Sequence, residues 1–355
     1  MHNTFFVREM LACLRAEAAL RPALQAQDRL KFLFQGMLGA GHLLSGQADV
    51  EARTAAEMRS LRDGAGEALY EPVSPSWGRL NLRPARAASL TPGLIAAMML
   101  ASQVDTGFTR EDVICLCRSC AEASGGTALA EEALRLADEN WLPSHSETYR
   151  KLYHPAYRLI GADWAPLLPA LAAIAEQEKT GRRILITLDG PCASGKTTMA
   201  ERIAGVTGAA VLHTDDFVVP HAQKTAERLA QPGGNCDWER LTAEVLLPWK
   251  EGRPGCLRRY DCGSNRLLPP EALPGAPLLL LEGCYANLPA IRGLADVRLF
   301  LDAPESLRLE RLRRRESPAS LQRFMDRWIP LENAYLEAFR LPDPGCIPIR
   351  TTMPA

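Results

Sequence analysis

The chain has 355 residues, of which 47% are hydrophobic and 23% charged, and its formal net charge is −1. This composition is typical of a soluble globular protein with room for two domains, and the near-neutral charge argues against a general nucleic-acid-binding or membrane-surface protein. Charged residues interrupt the apolar positions of 1–20, and no later run has transmembrane length, so we expect a cytoplasmic protein without a membrane or nucleic-acid partner.

The first half, residues 1–179, predicts a mostly α-helical domain. Its Ala- and Leu-rich segments have apolar residues at helical spacing, and Gly- and Pro-containing turns separate them. We predict helices at 5–20, 25–37, 50–61, 92–102, 110–123, 129–140 and 166–179. No motif in this half indicates an activity.

The cysteines allow two interpretations. The chain has ten of them, and Cys115, Cys117 and Cys120 cluster on one predicted helix. A structural zinc site would need a second pair of ligands, and a reducing cytosol makes free thiols the default. We therefore favour small buried helix residues over a metal site.

A second group of polar residues could also be taken for metal ligands. Histidines separated this far are more often hydrogen-bonded structural residues, which is the interpretation we favour. Tyr149, Tyr153 and Tyr157 recur at the spacing of one helix face, which favours a stripe packed against the second half of the chain over a base-stacking surface. The candidate metal ligands are His42, His145, Glu147 and His154.

The second half, residues 180–355, has a different pattern. Short apolar runs alternate with helical segments, which is typical of a mainly parallel sheet covered by helices on both faces. We place the domain boundary near 178–182. The predicted strands are 184–188, 209–213, 278–281, 297–301 and 347–350.

A phosphate-binding loop follows the first of these strands. The sequence Gly-x-x-x-x-Gly-Lys-Thr lies between an apolar strand and a helix, the arrangement of a P-loop NTPase in a three-layer α/β sandwich. Converging backbone N–H groups and one ammonium group meet the charge of a nucleotide triphosphate, and a threonine hydroxyl is offered to Mg²⁺. The predicted nucleotide-binding residues are Gly190, Ala193, Ser194, Gly195, Lys196, Thr197 and Thr198.

Acidic and basic residues follow at the places where such a fold binds its ligands. Asp215 comes after the second strand and is our candidate general base, the alternative being a helix-capping Asp pair. Glu282 ends a buried strand and, with Thr197, is the candidate metal ligand. The Arg-rich segment 308–315 could close over a transferring phosphoryl group or could form a solvated helix face. Within it, Arg311 and Arg315 are the candidate catalytic residues beside Lys196.

Taken in order, these segments resemble the uridine kinase and phosphoribulokinase group of P-loop kinases, over about residues 183–355. The resemblance implies that Asp215 is the general base, that Asp237 accepts hydrogen bonds from a ribose diol, and that Tyr260 walls the acceptor site. Arg266, close after Tyr260, is a further candidate for substrate binding. The motifs are Gly-Pro-Cys-Ala-Ser-Gly-Lys-Thr-Thr at 190–198, Thr-Asp-Asp-Phe at 214–217, Pro-Gly-Gly-Asn-Cys-Asp-Trp-Glu-Arg at 232–240, Arg-Tyr-Asp-Cys at 259–262, Leu-Glu-Gly at 281–283 and the Arg-rich helix.

One departure bears on the substrate. Members of the group that act on pyrimidine nucleosides have an aromatic residue, a His and an Arg after the Tyr-Asp pair, whereas 262–266 here reads Cys-Gly-Ser-Asn-Arg. A missing hydrogen-bonding partner weakens discrimination for a base. The resemblance therefore implies a kinase that uses ATP and Mg²⁺ on a small-molecule hydroxyl, nucleoside-like in the first instance. A kinase of another sugar or metabolite alcohol, or an ATP-binding regulatory module with little turnover, remains open, as do the choice between ATP and GTP and the oligomeric state.

Overall fold

A computed structural model of the chain describes residues 4–41, 46–62, 66–103, 106–124 and 126–350. Its contacts divide it into two compact units, Met1–Ala165 and Pro166–Ala355. The helix Leu168–Glu178 contacts three strands of the second unit, so it lies with that unit. The division therefore falls N-terminal to the 178–182 boundary that composition indicated.

The first unit combines helices with a small antiparallel sheet. Local residues determine where some of its helices begin. The hydroxyl of Thr91, for example, accepts a hydrogen bond from the N–H of Leu94 at 3.2 Å, and the helix that follows has Pro at its first position. The described elements are α1 (Thr4–Leu20), α2 (Ala26–Leu38), α3 (Gln47–Ser60), α4 (Leu82–Ala87), α5 (Pro92–Ala101), α6 (Arg110–Ser124), α7 (Ala128–Ala133) and α8 (Glu147–Tyr153), with strands β1 (Tyr70–Pro72), β2 (Trp77–Asn81) and β3 (Tyr157–Gly161) in the order β1-β2-β3.

The tyrosine stripe predicted for one helix is wrong. Tyr149 and Tyr153 lie on α8, but His154 takes the left-handed conformation with φ of +42° and ends the helix before Pro155. Tyr157 then begins β3, where it pairs in register with Asn81 of β2. A left-handed residue followed by Pro cannot continue an α-helix, which explains the break.

A charged network lies inside the first unit. Arg79 of β2 is buried, and its guanidinium stacks over Phe32 and Tyr157 with centroid distances of 5.2 and 4.7 Å. It donates to Glu17 at 2.7 Å, and Glu17 also accepts the hydroxyl of Tyr149 at 3.1 Å. Removing one partner of such a buried pair typically costs about 3–5 kcal/mol, so this network helps to fix how α1, β2 and α8 pack.

A second buried pair joins α2 to the start of α8. Asp28 accepts hydrogen bonds from the N–H of Ser146 at 2.8 Å, from its hydroxyl at 2.7 Å and from His145 Nδ1 at 3.2 Å. The Ser146 donors and His145 lower the pKa of Asp28 against the opposing effect of burial. Burial, together with the positive charges of Lys31 and Arg79, lowers the pKa of His145 to about 3, so this imidazole is neutral in the folded chain.

The buried neutral imidazole predicts a pH-dependent stability. An unfolded His takes up a proton near pH 6.5, which folded His145 does not, so the free energy of unfolding falls as the pH drops below 6.5. Between pH 6.5 and 5.0 this one group should cost about 1.5 kcal/mol. Urea denaturation followed by circular dichroism should show a flatter pH dependence for His145→Asn. His154→Asn, at an exposed ring, is the control and should keep the wild-type slope.

The second unit is an α/β domain built on a five-stranded parallel sheet in the order β12-β11-β4-β10-β5. Two short antiparallel hairpins, β6 with β9 and β7 with β8, lie outside this sheet. The described elements are strands β4 (Ile184–Asp189), β5 (Ala210–His213), β6 (Cys256–Leu257), β7 (Tyr260–Asp261), β8 (Arg266–Leu267), β9 (Glu271–Ala272), β10 (Leu278–Glu282), β11 (Val297–Asp302) and β12 (Ile347–Arg350), and helices α9 (Leu168–Glu178), α10 (Lys196–Thr207), α11 (Ala226–Ala230), α12 (Trp238–Arg240), α13 (Leu247–Lys250), α14 (Pro289–Arg292), α15 (Glu305–Arg315), α16 (Pro318–Arg323) and α17 (Ile329–Ala338).

The predicted fold class is confirmed. All five predicted strands are present and form the parallel sheet, and helices flank it. Every residue of β4 and β10 is buried, as expected for central strands of a sheet covered by helices. The two hairpins were not predicted, because strands of two residues carry no periodic signal.

Two classes of site are absent from the part of the chain that the structure describes. It contains no helix long and apolar enough to cross a membrane. It also contains no group of three or more His, Cys, Asp or Glu side chains arranged to hold a metal ion; His42 lies outside the described residues. Cys117 is buried, Cys120 is half-buried and Cys115 is exposed, so burial was correctly predicted for Cys117 but not for Cys115.

Candidate active site

The loop between β4 and α10 has the geometry of an anion cradle. Gly190 has φ of +150° and Gly195 has φ of +102°, both conformations that favour glycine, and Ala193 is also left-handed at +57°. Gly195 is the residue immediately before α10, so the helix presents its N-terminal N–H groups at the end of the loop. Sequence and backbone therefore agree on where an anion would be bound.

Adding a single methyl group at Gly190 is expected to have a large effect on stability and nucleotide binding. A Cβ at Gly190 would lie 2.4 Å from the carbonyl oxygen of Leu301, whereas a Cβ at Gly205 in α10 would meet nothing within 4 Å. Gly190→Ala should therefore destabilise the chain by more than about 1 kcal/mol and abolish nucleotide binding. Gly205→Ala, the control in a helix interior, should stabilise it by about 0.5–1 kcal/mol. Thermal unfolding and nucleotide titration measure both; equal behaviour of the two variants would contradict the prediction.

Lys196 and Ser194 furnish the polar groups of the loop. Lys196 is buried, and its Nζ donates to the carbonyl oxygen of Pro191 at 3.0 Å. Ser194 is fully buried, and its Oγ has no hydrogen-bond partner among the described residues. A buried hydroxyl without a partner is costly unless a bound group satisfies it. The loop thus offers a cation and a hydroxyl beside its backbone amides.

Thr197, Glu282 and His213 meet at the carboxyl ends of neighbouring strands. Glu282 at the end of β10 pairs in register with His213 at the end of β5. Glu282 Oε1 accepts the hydroxyl of Thr197 at 2.9 Å and His213 Nδ1 at 2.6 Å. This hydrogen bond to Glu282 raises the pKa of His213. A hydroxyl and a carboxylate oxygen are ligands that suit Mg²⁺, so these residues fit the metal that the sequence indicates.

Asp215 is the free acid of this edge. It lies in the 3-10 turn Thr214–Phe217, directly after β5, and its carboxylate is exposed and has no hydrogen-bond partner within the described ranges. Although Asp215 is accessible to solvent, protein atoms crowd the space around it, and this partial desolvation, together with the nearby charges of Glu282 and Asp216, raises its pKa, while Lys196 and His213 oppose the rise. Asp216 is instead held by Arg259 Nε at 3.1 Å. Neither carboxylate caps the turn, which removes the capping alternative.

The Arg-rich helix α15 divides into two parts. Arg311 donates from NH1 to the carbonyl oxygens of Ala193 and Ser194 at 3.1 and 2.7 Å. Arg308 donates a longer hydrogen bond, of 3.4 Å, to the carbonyl oxygen of Cys192. Arg315 instead pairs with Glu316 at 2.7 Å and is exposed. The structure therefore brings Arg311 to the phosphate-binding loop and does not bring Arg315 there.

The segment that contains Asp237 lies beside the Asp215 turn. The N–H of Asp237 donates to the carbonyl oxygen of Phe217 at 2.7 Å, and Val218 forms an antiparallel bridge with Cys236. The Asp237 carboxylate caps α12 and pairs with Arg240 Nε at 2.9 Å. Asp237 is thus positioned near Asp215 but already engages a guanidinium.

Tyr260 and Arg266 lie on the β7-β8 hairpin. The hydroxyl of buried Tyr260 donates to Asn265 and accepts the N–H of His221 at 3.2 Å. Arg259, one residue earlier, binds Asp216 and so connects the hairpin to the turn Thr214–Phe217. Arg266 is exposed, and no described contact brings it to the other candidates.

Residues under the loop were not identified from the sequence. Asp189, fully buried at the end of β4, accepts Gly190 N–H at 2.6 Å, Asn287 N–H at 2.8 Å and the Tyr335 hydroxyl at 2.6 Å. Burial raises the pKa of Asp189. Glu332 of α17 accepts the N–H of Cys192 at 2.8 Å. An acid just before the first loop glycine could have drawn attention to Asp189, but nothing signals Glu332, which is 140 residues away.

The sheet order and the loop between β4 and α10 define the second unit as a P-loop α/β domain. Residues 185–318 match the family described as PRK: Phosphoribulokinase / Uridine kinase family. The second unit is therefore a uridine kinase- and phosphoribulokinase-like P-loop domain.

Three known proteins are similar to part of this chain. The chain is 28% identical over 183 residues to "Uridine kinase-like protein 3" of Arabidopsis thaliana, covering 48% of this chain and 39% of the relative. It is 26% identical over 176 residues to "Uridine-cytidine kinase C" of Dictyostelium discoideum, covering 45% and 38%. A solved "Possible Uridine Kinase from Bacillus stearothermophilus" aligns at 23% identity with a TM-score of 0.36, covering 46% of this chain and 90% of that one. The match spans about two fifths of the length of the two curated relatives.

Proposed function

We propose that the second unit is an ATP- and Mg²⁺-dependent phosphotransferase that transfers the γ-phosphate to a hydroxyl of a nucleoside-like small molecule. The observation that carries this proposal is the placement of a free carboxylate, Asp215, at the same sheet edge as Lys196 and Glu282. A carboxylate without a hydrogen-bond partner is available to accept a proton from an incoming hydroxyl. A protein that only binds a nucleotide has no need of such a carboxylate.

The residues have separate tasks in this proposal. Asp215 accepts the proton of the acceptor hydroxyl as the oxygen attacks the γ-phosphorus, and the bond from that phosphorus to the oxygen bridging it to the β-phosphate breaks, so that ADP leaves. Lys196 and the N–H groups of 190–196 neutralise the β- and γ-phosphates. Arg311, which the structure holds against the loop carbonyls, screens charge on the transferring group, a role we assign to it rather than to Arg315. Thr197 and Glu282 would hold Mg²⁺, which neutralises phosphate charge and orients the phosphates when bound.

The acceptor site is assigned to the two segments that the structure ties to the Asp215 turn. Asp237 is joined to Phe217, and Tyr260 lies next to Arg259, which binds Asp216. The names of the curated relatives favour a nucleoside. The Cys-Gly-Ser-Asn-Arg segment at 262–266, without a His, favours the second candidate, a sugar or another metabolite alcohol.

The test is a transfer assay on the full chain. The protein is incubated with γ-labelled ATP, Mg²⁺ and one acceptor at a time, drawn from nucleosides, free sugars and other metabolite alcohols, and labelled acceptor is separated from labelled inorganic phosphate. We expect label in one acceptor class. Nucleotide binding with label in no acceptor would overturn the proposal and favour a regulatory module with little turnover.

A further inference from the structure

The first unit contains a cavity of about 710 Å³. Residues of α2, α3, α5, α8 and β3 line it, and all of its lining residues belong to this unit. Small-molecule sites in proteins typically have volumes of about 300–1,000 Å³. The cavity is therefore of a size that holds a metabolite.

Positive charge dominates its lining. The lining includes four basic side chains and one carboxylate, which are Lys31, Arg53, Arg150 and Arg158, and Glu57. Arg158 is neutralised by Glu57 at 2.8 Å, and Arg53 pairs with Asp49 at 3.0 Å. Lys31 and Arg150, by contrast, make no side-chain hydrogen bond or ion pair with any residue that the structure describes. Two uncompensated cations at one cavity favour an occupant with two negative charges.

A fixed polar wall stands beside these cations. His145 Nε2 and the hydroxyl of Tyr157 lie 2.8 Å apart, and that hydroxyl is 3.2 Å from Gln35 Oε1. Asp28 holds the other ring nitrogen of His145, so the wall is positioned before any ligand arrives. The carboxamide N–H groups of Gln35 have no partner among the described residues and remain available as donors.

Much of the remaining lining is apolar and can contact a carbon skeleton. Val50 of α3, Met99 of α5 and Leu159 of β3 all contribute to it. A phosphate monoester carries a charge of about −1.5 to −2 near neutral pH and three acceptor oxygens, which matches Lys31, Arg150 and the Gln35 donors. A monocarboxylate would leave one cation unpaired.

We propose that the first unit binds a phosphate monoester of a small metabolite, with the phosphoryl group against Lys31 and Arg150 and the carbon body against Val50, Met99 and Leu159. This site is separate from the P-loop and does not depend on the function proposed for the second unit. We infer binding of the monoester and no reaction at this site. The lining residues supply charges complementary to the ligand, and binding requires no nucleophile.

Calorimetric titration of the full chain, without ATP, tests the proposal. The probes are ribose 5-phosphate, glucose 6-phosphate and glycerol 3-phosphate, with inorganic phosphate, the unphosphorylated sugars and succinate for comparison. We expect saturable binding of at least one monoester and weaker binding of the sugars and of succinate. Lys31→Gln and Arg150→Gln should each weaken it about 10-fold or more, the usual effect of losing a hydrogen bond to a charged group.

Two variants separate this site from other anion sites. Lys151→Gln removes the same charge next to Arg150, from an exposed side chain paired with Glu147, and should leave monoester binding unchanged. Lys196→Met removes the ammonium group of the P-loop and should also leave it unchanged. Loss of binding in Lys196→Met, an equal loss in Lys151→Gln, succinate binding as tight as the monoesters, or no saturable binding of any monoester would each overturn the proposal.

Discussion

Replacing Asp215 with Asn is expected to lower phosphoryl transfer to the acceptor by about 10²–10⁴-fold, the usual range for loss of a general base. The amide keeps the size of the side chain but cannot take up the hydroxyl proton. Because the Asp215 carboxylate has no hydrogen-bond partner among the described residues, the substitution breaks no contact on which folding depends. Nucleotide binding, measured by titration, should therefore persist while the labelled product disappears.

The neighbouring acid is the matched control for this prediction. Asp216→Asn changes the same functional group one residue away, but Asp216 is bound to Arg259, and Arg259 also pairs with Glu271. We expect Asp216→Asn to slow transfer much less than Asp215→Asn. A reversal of this order, or a parallel loss of nucleotide binding in Asp215→Asn, would show that Asp215 acts through structure and not as the base.

The parallel sheet could be predicted because each strand carries its own signal. Strand β10 has four consecutive leucines, strand β4 is apolar except for Thr187 and its last residue Asp189, and both are buried at every position; the loop after β4 has a fixed residue pattern. Strand β2 has the sequence Trp-Gly-Arg-Leu-Asn and is buried at all five positions, so it shows neither apolar continuity nor alternation. Its buried Arg79 depends on Glu17, a partner 62 residues away. Pairings of that kind are set by tertiary structure and leave no local pattern.

In the candidate site, too, some features have a local sequence signal and others are set by tertiary structure. Thr197, Asp215 and Glu282 follow strands or open a helix, so topology alone brings them to one edge of the sheet. The different contacts of Arg311 and Arg315 could not be predicted, because the two lie four residues apart on one face of a basic helix, and the packing of that helix decides which of its turns reaches the loop. Asp237 has the expected neighbours, but its pairing with Arg240 is a local choice that residue order does not specify. Their catalytic and binding roles stay predictions.

Replacing Lys196 with Met is expected to lower phosphoryl transfer by about 10²–10³-fold, as loss of one charged donor to a transition state does. Unlike Asp215→Asn, it should also weaken ATP binding, since the ammonium group meets phosphate charge before and during transfer. The cost to folding should be small. In the structure Lys196 Nζ donates only to the Pro191 carbonyl oxygen among the described residues, and such a bond contributes about 1 kcal/mol.

For Lys250, a second lysine of the same unit, we expect the opposite effects on transfer and on stability. Lys250 Nζ donates to the carbonyl oxygen of Leu294 at 2.6 Å and pairs with Asp296, which in turn accepts the N–H of Leu185 at 2.8 Å. Lys250→Met should therefore lower the melting temperature without changing transfer per folded molecule, because this cluster lies at the start of β4 and not at its loop end. Transfer rate and thermal unfolding, measured on both variants, separate the two effects. If Lys196→Met retained wild-type transfer, the triphosphate would have to be held by groups other than the loop, and the role proposed for Asp215 would lose its geometric basis.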